Sequence, residues 1–232
     1  MRSLAAIVGM GLLSPIILLA LLISTRLFVE ARFLPSEAMK PTFVVNDRVL
    51  VEKASGYLKK PFARGEIIVF YPPPIEMGGR DLSPDVTYVL GRLTGLPMFP
   101  YEPAFIKRVI GLPGDQIRIE SGQGVFLNGR LLDESSYLKE PANYTIKTLG
   151  DIGGRDVHGV VMRPYGEADL LAKPIEVPSG SLFVLGDNRN NSEDSHVFGF
   201  VKEDRIVGRV QLQIFPRLRI IEIPKYENGA VQ

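Results

Sequence analysis

A short stretch between two prolines, Leu34-Pro35-Ser36-Glu37-Ala38-Met39-Lys40-Pro41-Thr42-Phe43, has the form of a ledge that could present a nucleophile, with one gap in it. Proline fixes φ and disfavours helix at the preceding residue, so the stretch is expected to be a stiff turn that presents Ser36 to Met39 as a ledge. A ledge of that kind suits a nucleophile, yet its centre is Ala38, whose methyl group cannot attack. A second candidate is Lys107, within Phe105-Ile106-Lys107-Arg108-Val109-Ile110. Strand alternation sets Phe105, Lys107 and Val109 on one face, with Ile106, Arg108 and Ile110 on the other. Burial on an apolar face would depress the lysine pKa and make the amine a candidate general base. For a strand read by itself, a lysine that snorkels to the rim or pairs with an acid is the commoner outcome. The third candidate is the polar run Gly186-Asp187-Asn188-Arg189-Asn190-Asn191-Ser192-Glu193-Asp194-Ser195-His196, flanked by apolar segments expected to be strands, Ser181 to Leu185 and Val197 to Val201. Such a loop is either solvated surface or a place where sites are built. The absence of cysteine excludes thiol nucleophiles and thiolate metal sites, and His158 and His196 are too few for a histidine-rich metal centre.

The elements that must position these residues read as mainly β. Leu27 to Leu34, Asp47 to Glu52 after a turn at Val45-Asn46, Glu66 to Phe70, Phe105 to Ile110, Gln116 to Glu120, Val125 to Leu132, Ser181 to Leu185, Ile206 to Ile214 and Leu218 to Ile223 all have strand character. Asn128-Gly129 is a hairpin signal. Residues 72–103 are irregular, a variable insertion only by the resemblance described below, and within them Val86 to Leu96 is either a short helix or a surface flap. Residues 116–180 are a poorly patterned subdomain. Before all of these, Ser3 to Thr25 carries no charge and is flanked by Arg2 and Arg26. Its length suffices to cross a hydrocarbon core of about 30 Å as a helix, and it exceeds an ordinary signal core and lacks Ala-x-Ala at its exit. An uncleaved anchor over residues 1–26, followed by a domain over 27–232, is therefore favoured over a cleavable export signal. Arg2 against Arg26 and Arg32 leaves the orientation undecided. A net charge of +1, from 27 basic and 26 acidic residues, argues against a nucleic-acid partner.

Four blocks in order, Pro-Ser-x-x-Met-x-Pro-Thr, Asn-Asp-x-Val-Leu-Val-Glu-Lys, Ile-Lys-Arg-Val-Ile-Gly-Leu-Pro-Gly-Asp and Gly-Asp-Asn-Arg-Asn-Asn-Ser-x-Asp-Ser, follow the apolar segment. In this arrangement the chain, to about Val210, resembles type I signal peptidase, the membrane-anchored Ser-Lys endopeptidase, with wording closest to the cyanobacterial and thylakoid branch. The resemblance implies a coiled antiparallel β-sheet domain with an apolar face toward the membrane, no metal or other cofactor, and the signal peptides of preproteins and the lipid bilayer as partners. It places the family's nucleophilic serine at Ala38 and its general base at Lys107. Ser36, with the amide of Ala38, falls at the oxyanion hole. Ser192 matches the serine that orients the lysine, and Asp187 and Asp194 match structural acids. His196 replaces an arginine of some members, so any pairing with Asp194 becomes pH-dependent. Leu34, Met39, Phe43, Phe105 and Ile106 fall where the family lines shallow pockets for small substrate side chains.

The resemblance also sharpens the gap. With Ala38 the chain is expected to cleave nothing at a useful rate. An altered inactive form, a natural non-catalytic relative that binds or regulates, and a nucleophile moved to Ser36 are the explanations. The last is weakest, because Ser36 would have to give up its oxyanion role. Retention of Lys107, Ser192 and the polar loop favours a recent or deliberate change. A self-cleaving Ser-Lys repressor would need an N-terminal DNA-binding domain, for which the uncharged run leaves no space. The implied setting is a single-pass protein of the plasma or thylakoid membrane, with its catalytic domain on the trans side.

Overall fold

Strands dominate the described residues of this computed structural model, which are 17, 24–72, 104–144 and 174–226. They are β1 (Val29–Phe33), β2 (Arg48–Glu52), β3 (Ile67–Phe70), β4 (Phe105–Gly111), β5 (Gln116–Glu120), β6 (Gly124–Leu127), β7 (Arg130–Leu131), β8 (Ile175–Glu176), β9 (Ser181–Leu185), β10 (Val201–Lys202), β11 (Ile206–Phe215) and β12 (Arg219–Ile220). Eight form one sheet in the order β1-β2-β11-β3-β4-β9-β10, with β12 on β11; four form a second, β7-β6-β5-β8. Every pairing is antiparallel. Register shifts along β11, and between Val109 and Gly111 where β4 meets β9, bend the large sheet. The mainly β, coiled antiparallel expectation holds.

The elements follow from their residues. β3 and β9 are buried along their whole length, as their unbroken apolar runs require, whereas β2 alternates exposed or half-buried with buried positions. Asn128 and Gly129 both take positive φ, 51° and 82°, the backbone of a tight two-residue hairpin between β6 and β7. Three apolar cores result. One joins the sheets through Ile110, Phe183 and Leu185 of the large and Ile117, Ile119, Val125 and Leu127 of the small. A second holds Leu34, Met39 and Phe43 under Val49, Val51, Ile67 and Val69. The third gathers Ile68, Phe70, Val109, Leu182, Val184 and Phe198.

Three expectations are corrected. Residues 24–28 are helical and the strand begins only at Val29. Val197 to Val201 is not one strand: Ser195–Phe198 is a helical turn capped by the Asp194 side chain, which accepts from the His196 amide, and Gly199 at φ 85° ends it before β10. A carboxylate at the N-cap and a glycine able to reverse the chain outweigh the β preference of Val197 and Phe198. Near the C-terminus, only Arg219–Ile220 of Leu218 to Ile223 pairs as a strand. Among the described residues no helix is long and apolar enough to cross a membrane. The anchor expected at Ser3 to Thr25 lies outside the described residues except at 17, 24 and 25. Val86 to Leu96, with nearly all of the 72–103 insertion, and residues 145–173 also lie outside them.

Candidate active site

The ledge is held from both sides. Leu34 N–H donates to the Asp47 carbonyl and the Leu34 carbonyl accepts from Asn46, both at 2.9 Å, while the Asp47 carboxylate accepts from Val44 N–H. Within the turn, Lys40 N–H donates to Glu37 and Phe43 N–H to Met39. Leu34, Met39 and Phe43 are buried to within 2% in the core beneath, so the turn is pinned by its apolar side chains while Ser36 stays exposed. Ala38 is 9% exposed.

Lys107 sits on β4 with 4% exposure, and its Nζ lies 2.7 Å from Ser192 Oγ. Arg108, on the opposite face, makes a bidentate pair with Asp187, Nε to Oδ1 at 2.7 Å and Nη2 to Oδ2 at 2.6 Å. It also donates to the Gly65 carbonyl and to Thr42 Oγ1, and it stacks over the Tyr137 ring at 4.0 Å. The Thr42 hydroxyl in turn donates to Asp187. Burial works against the Arg108 charge, but the hydrogen bonds and charge of Asp187 outweigh it and raise the arginine pKa. One buried guanidinium thereby ties the lysine strand, the start of the polar loop and the end of the ledge together.

The polar loop closes the arrangement. A Cβ added at Gly186 would collide with Ser192 Oγ and stand 2.6 Å from the Ala38 carbonyl oxygen, so only glycine lets these groups converge. Asn188 grips the ledge twice: its N–H donates to the Ala38 carbonyl at 3.0 Å and its side-chain amide to the Glu37 carbonyl at 3.2 Å. Asp194, wholly buried, accepts from Gly186 N–H at 2.9 Å and pairs with His196 Nδ1 at 2.5 Å. Burial pushes the Asp194 carboxyl up, yet the hydrogen bond and charge of His196, with the Gly186 amide, hold it below the ordinary aspartate value. Tyr144 stacks on the His196 ring at 3.9 Å.

The structure thus brings Ala38, Lys107, Ser192, Asp187 and Asp194 into one locus. Of the residues expected to line pockets, Leu34, Met39 and Phe43 share a core with half-buried Ile106, while Phe105 packs with Phe70 and Phe198 in another. Reading the sequence missed Thr42, Asn188, Arg189, Glu134 and Tyr137 as supports, and left Arg108 without a role. Arg108 did carry a signal, since a guanidinium flanked by Ile106 and Ile110 on one strand face needs a buried acid. Glu134 carried none, because its partner Arg189 is 55 residues away.

Residues 7–215 match the family model described as signal peptidase, peptidase S26. The chain belongs to that family. It is 37% identical over 201 residues, covering 86% of this chain and 70% of the relative, to the "probable signal peptidase I-2" of Synechocystis sp.. It is 30% identical over 193 residues, 82% of this chain and 43% of the relative, to "thylakoidal processing peptidase 1, chloroplastic" of Arabidopsis thaliana. A crystallised signal peptidase I from Enterococcus faecalis matches at 25% identity and a TM-score of 0.35, over 65% of this chain and 97% of that one. Cyanobacterial and thylakoidal relatives are those that the wording of the Gly186 to His196 loop pointed to. Type I signal peptidases are serine endopeptidases, and a serine hydrolase site is the frame for the geometry above.

Proposed function

We propose that this signal peptidase is built to remove N-terminal signal peptides from exported preproteins with a Ser-Lys dyad, and that the chain as it stands lacks only the attacking atom, at Ala38. The observation that supports this is Lys107 hydrogen-bonded to Ser192, whose hydroxyl and the Ala38 carbonyl meet over Gly186. With serine at position 38, its hydroxyl adds to the scissile carbonyl while the neutral Lys107 amine takes the proton. The 38 amide and the Ser36 hydroxyl receive the oxyanion; loss of one such donor costs about 3 kcal/mol in related sites. The lysine then protonates the leaving amine and deprotonates the water that hydrolyses the acyl-enzyme. Ser192 holds the amine in line. With Ala38 no acyl-enzyme forms, and loss of a nucleophile lowers turnover on the order of a million-fold in a comparable hydrolase.

The same proposal sets residues 1–26 as an anchor in the plasma or thylakoid membrane, with the β domain on the trans side and Leu34, Met39, Phe43, Phe105 and Ile106 as walls for small substrate side chains. A second reading is a natural non-catalytic homologue that binds signal peptides. It is favoured by a ledge whose hydrogen bonds to Asn188 are complete without a hydroxyl at 38. Cleavage of a preprotein by the chain and by Ala38→Ser tests the assignment: activity is expected from Ala38→Ser alone, and equal rates would remove position 38 from the mechanism. Tight binding of a signal peptide, with no cleavage by either form, would favour the second reading.

A further inference from the structure

The segment that follows β7 leaves the small sheet and reaches the site loop through charges that the proposed chemistry does not use. Arg189 is buried, and its Nε donates to the Gly186 carbonyl at 2.9 Å. Its Nη1 donates to Glu134 Oε2 at 2.7 Å, and its Nη2 donates to Oε1. The Tyr137 hydroxyl donates to Glu134 Oε1 at 2.7 Å, and its ring lies against Arg108. One short segment therefore contacts both Arg189 of the site loop and Arg108, the arginine that pairs with Asp187. A planar guanidinium held through both terminal nitrogens by a carboxylate has little freedom, so the peptide carbonyl on its Nε has little freedom either. That carbonyl belongs to Gly186, the residue on which Ser192, the Ala38 carbonyl and Asp194 converge.

We propose that Glu134 is a positioning residue for the active site: through Arg189 it fixes the turn from Gly186 to Ser192, so that Ser192 meets Lys107 and Asn188 meets the Ala38 carbonyl. The segment after β7 then serves the site as the source of the carboxylate that locks its loop. The value of this lock to catalysis rests on the Ser-Lys reading above; its existence does not. Removing the charge leaves a buried cation unpaired, and the loop rearranges to hydrate it.

Hydrogen exchange on the full chain, with Ala38 in place, tests the lock without any need for activity. Glu134→Gln is expected to speed exchange of the Gly186 and Asn188 amides by about tenfold or more while the β3 amides stay within about twofold, and Glu134→Asp to recover part of the protection. Unchanged loop protection, or a loss shared equally by β3, overturns the proposal. In an Ala38→Ser background, Glu134→Gln is expected to lower kcat about tenfold with KM little changed. An unchanged kcat removes the catalytic consequence; an inactive Ala38→Ser parent counts against the Ser-Lys reading, and the exchange result still decides the lock. Should Glu134→Gln not fold, Tyr137→Phe, which deletes the hydroxyl that bonds Glu134 and Tyr226, is expected to loosen the same two amides to a smaller degree, and unaltered exchange there overturns the proposal.

Discussion

Position 38 is held by its backbone. Its carbonyl is bound by Asn188, and Gly186 is bare beneath it. A methyl group at 186 has no room, and the atoms it meets include backbone, so Gly186→Ala is expected to cost about 2 kcal/mol in denaturant unfolding and to abolish whatever activity Ala38→Ser restores. Asp194 gives a pH prediction. Its folded pKa lies below the unfolded one, so its ionised contacts stabilise the fold fully above the unfolded value, about 4, and that contribution is lost as pH falls through the lower folded value. Asp194→Asn is expected to be less stable by about 3 kcal/mol near neutrality and to show a flatter acid limb, read from melting temperature across pH. A parallel acid limb in the two proteins would count against the pairing with His196.

Between elements, Arg108 is the joint of strand, loop and ledge. Lysine cannot reproduce its bidentate contact with Asp187 while also reaching Gly65, so Arg108→Lys is expected to destabilise by about 3 kcal/mol in urea titration and to lower the activity of Ala38→Ser. At the β6–β7 hairpin, Gly129→Ala forces a side chain into positive φ and is expected to cost about 1 kcal/mol with activity intact. Elements with strong local signals were legible: the apolar runs of β3 and β9, the alternation of β2, and Asn128-Gly129. The helical turn at Ser195–Phe198 was not, because Val197 and Phe198 read as β until Asp194 is seen capping them. In the site, Lys107 was legible as a charge on an apolar face, and Ala38 as a gap on a ledge. The supports were not, since Glu134 with Arg189 and Thr42 with Asp187 are pairings between segments far apart in sequence, with no local pattern to announce them.

At the scale of the molecule, several of the exposed apolar side chains among the described residues lie near the ledge end of the large sheet. Phe33 on β1 and Phe215 on β11 flank Arg48 of β2, and Val44, Val45, Leu218 and Ile220 are exposed as well. Such a patch suits an interface with lipid, in keeping with the proposed membrane setting. Replacing Phe33 and Phe215 together by serine is expected to weaken vesicle binding several-fold, measured by co-flotation, with little change in melting temperature. Unchanged flotation would move the contact elsewhere.

The order of strands in the large sheet also governs when the site comes into being. β11, residues 206–215, lies between β2 and β3, residues 48–52 and 67–70. Until the ribosome has released β11, the flanking strands expose unpaired edges, and the two parts of the sheet that carry the ledge and Lys107 have no common strand to align them. Assembly of the site is thus a late event in synthesis, and a chain ending before residue 206 is expected to aggregate.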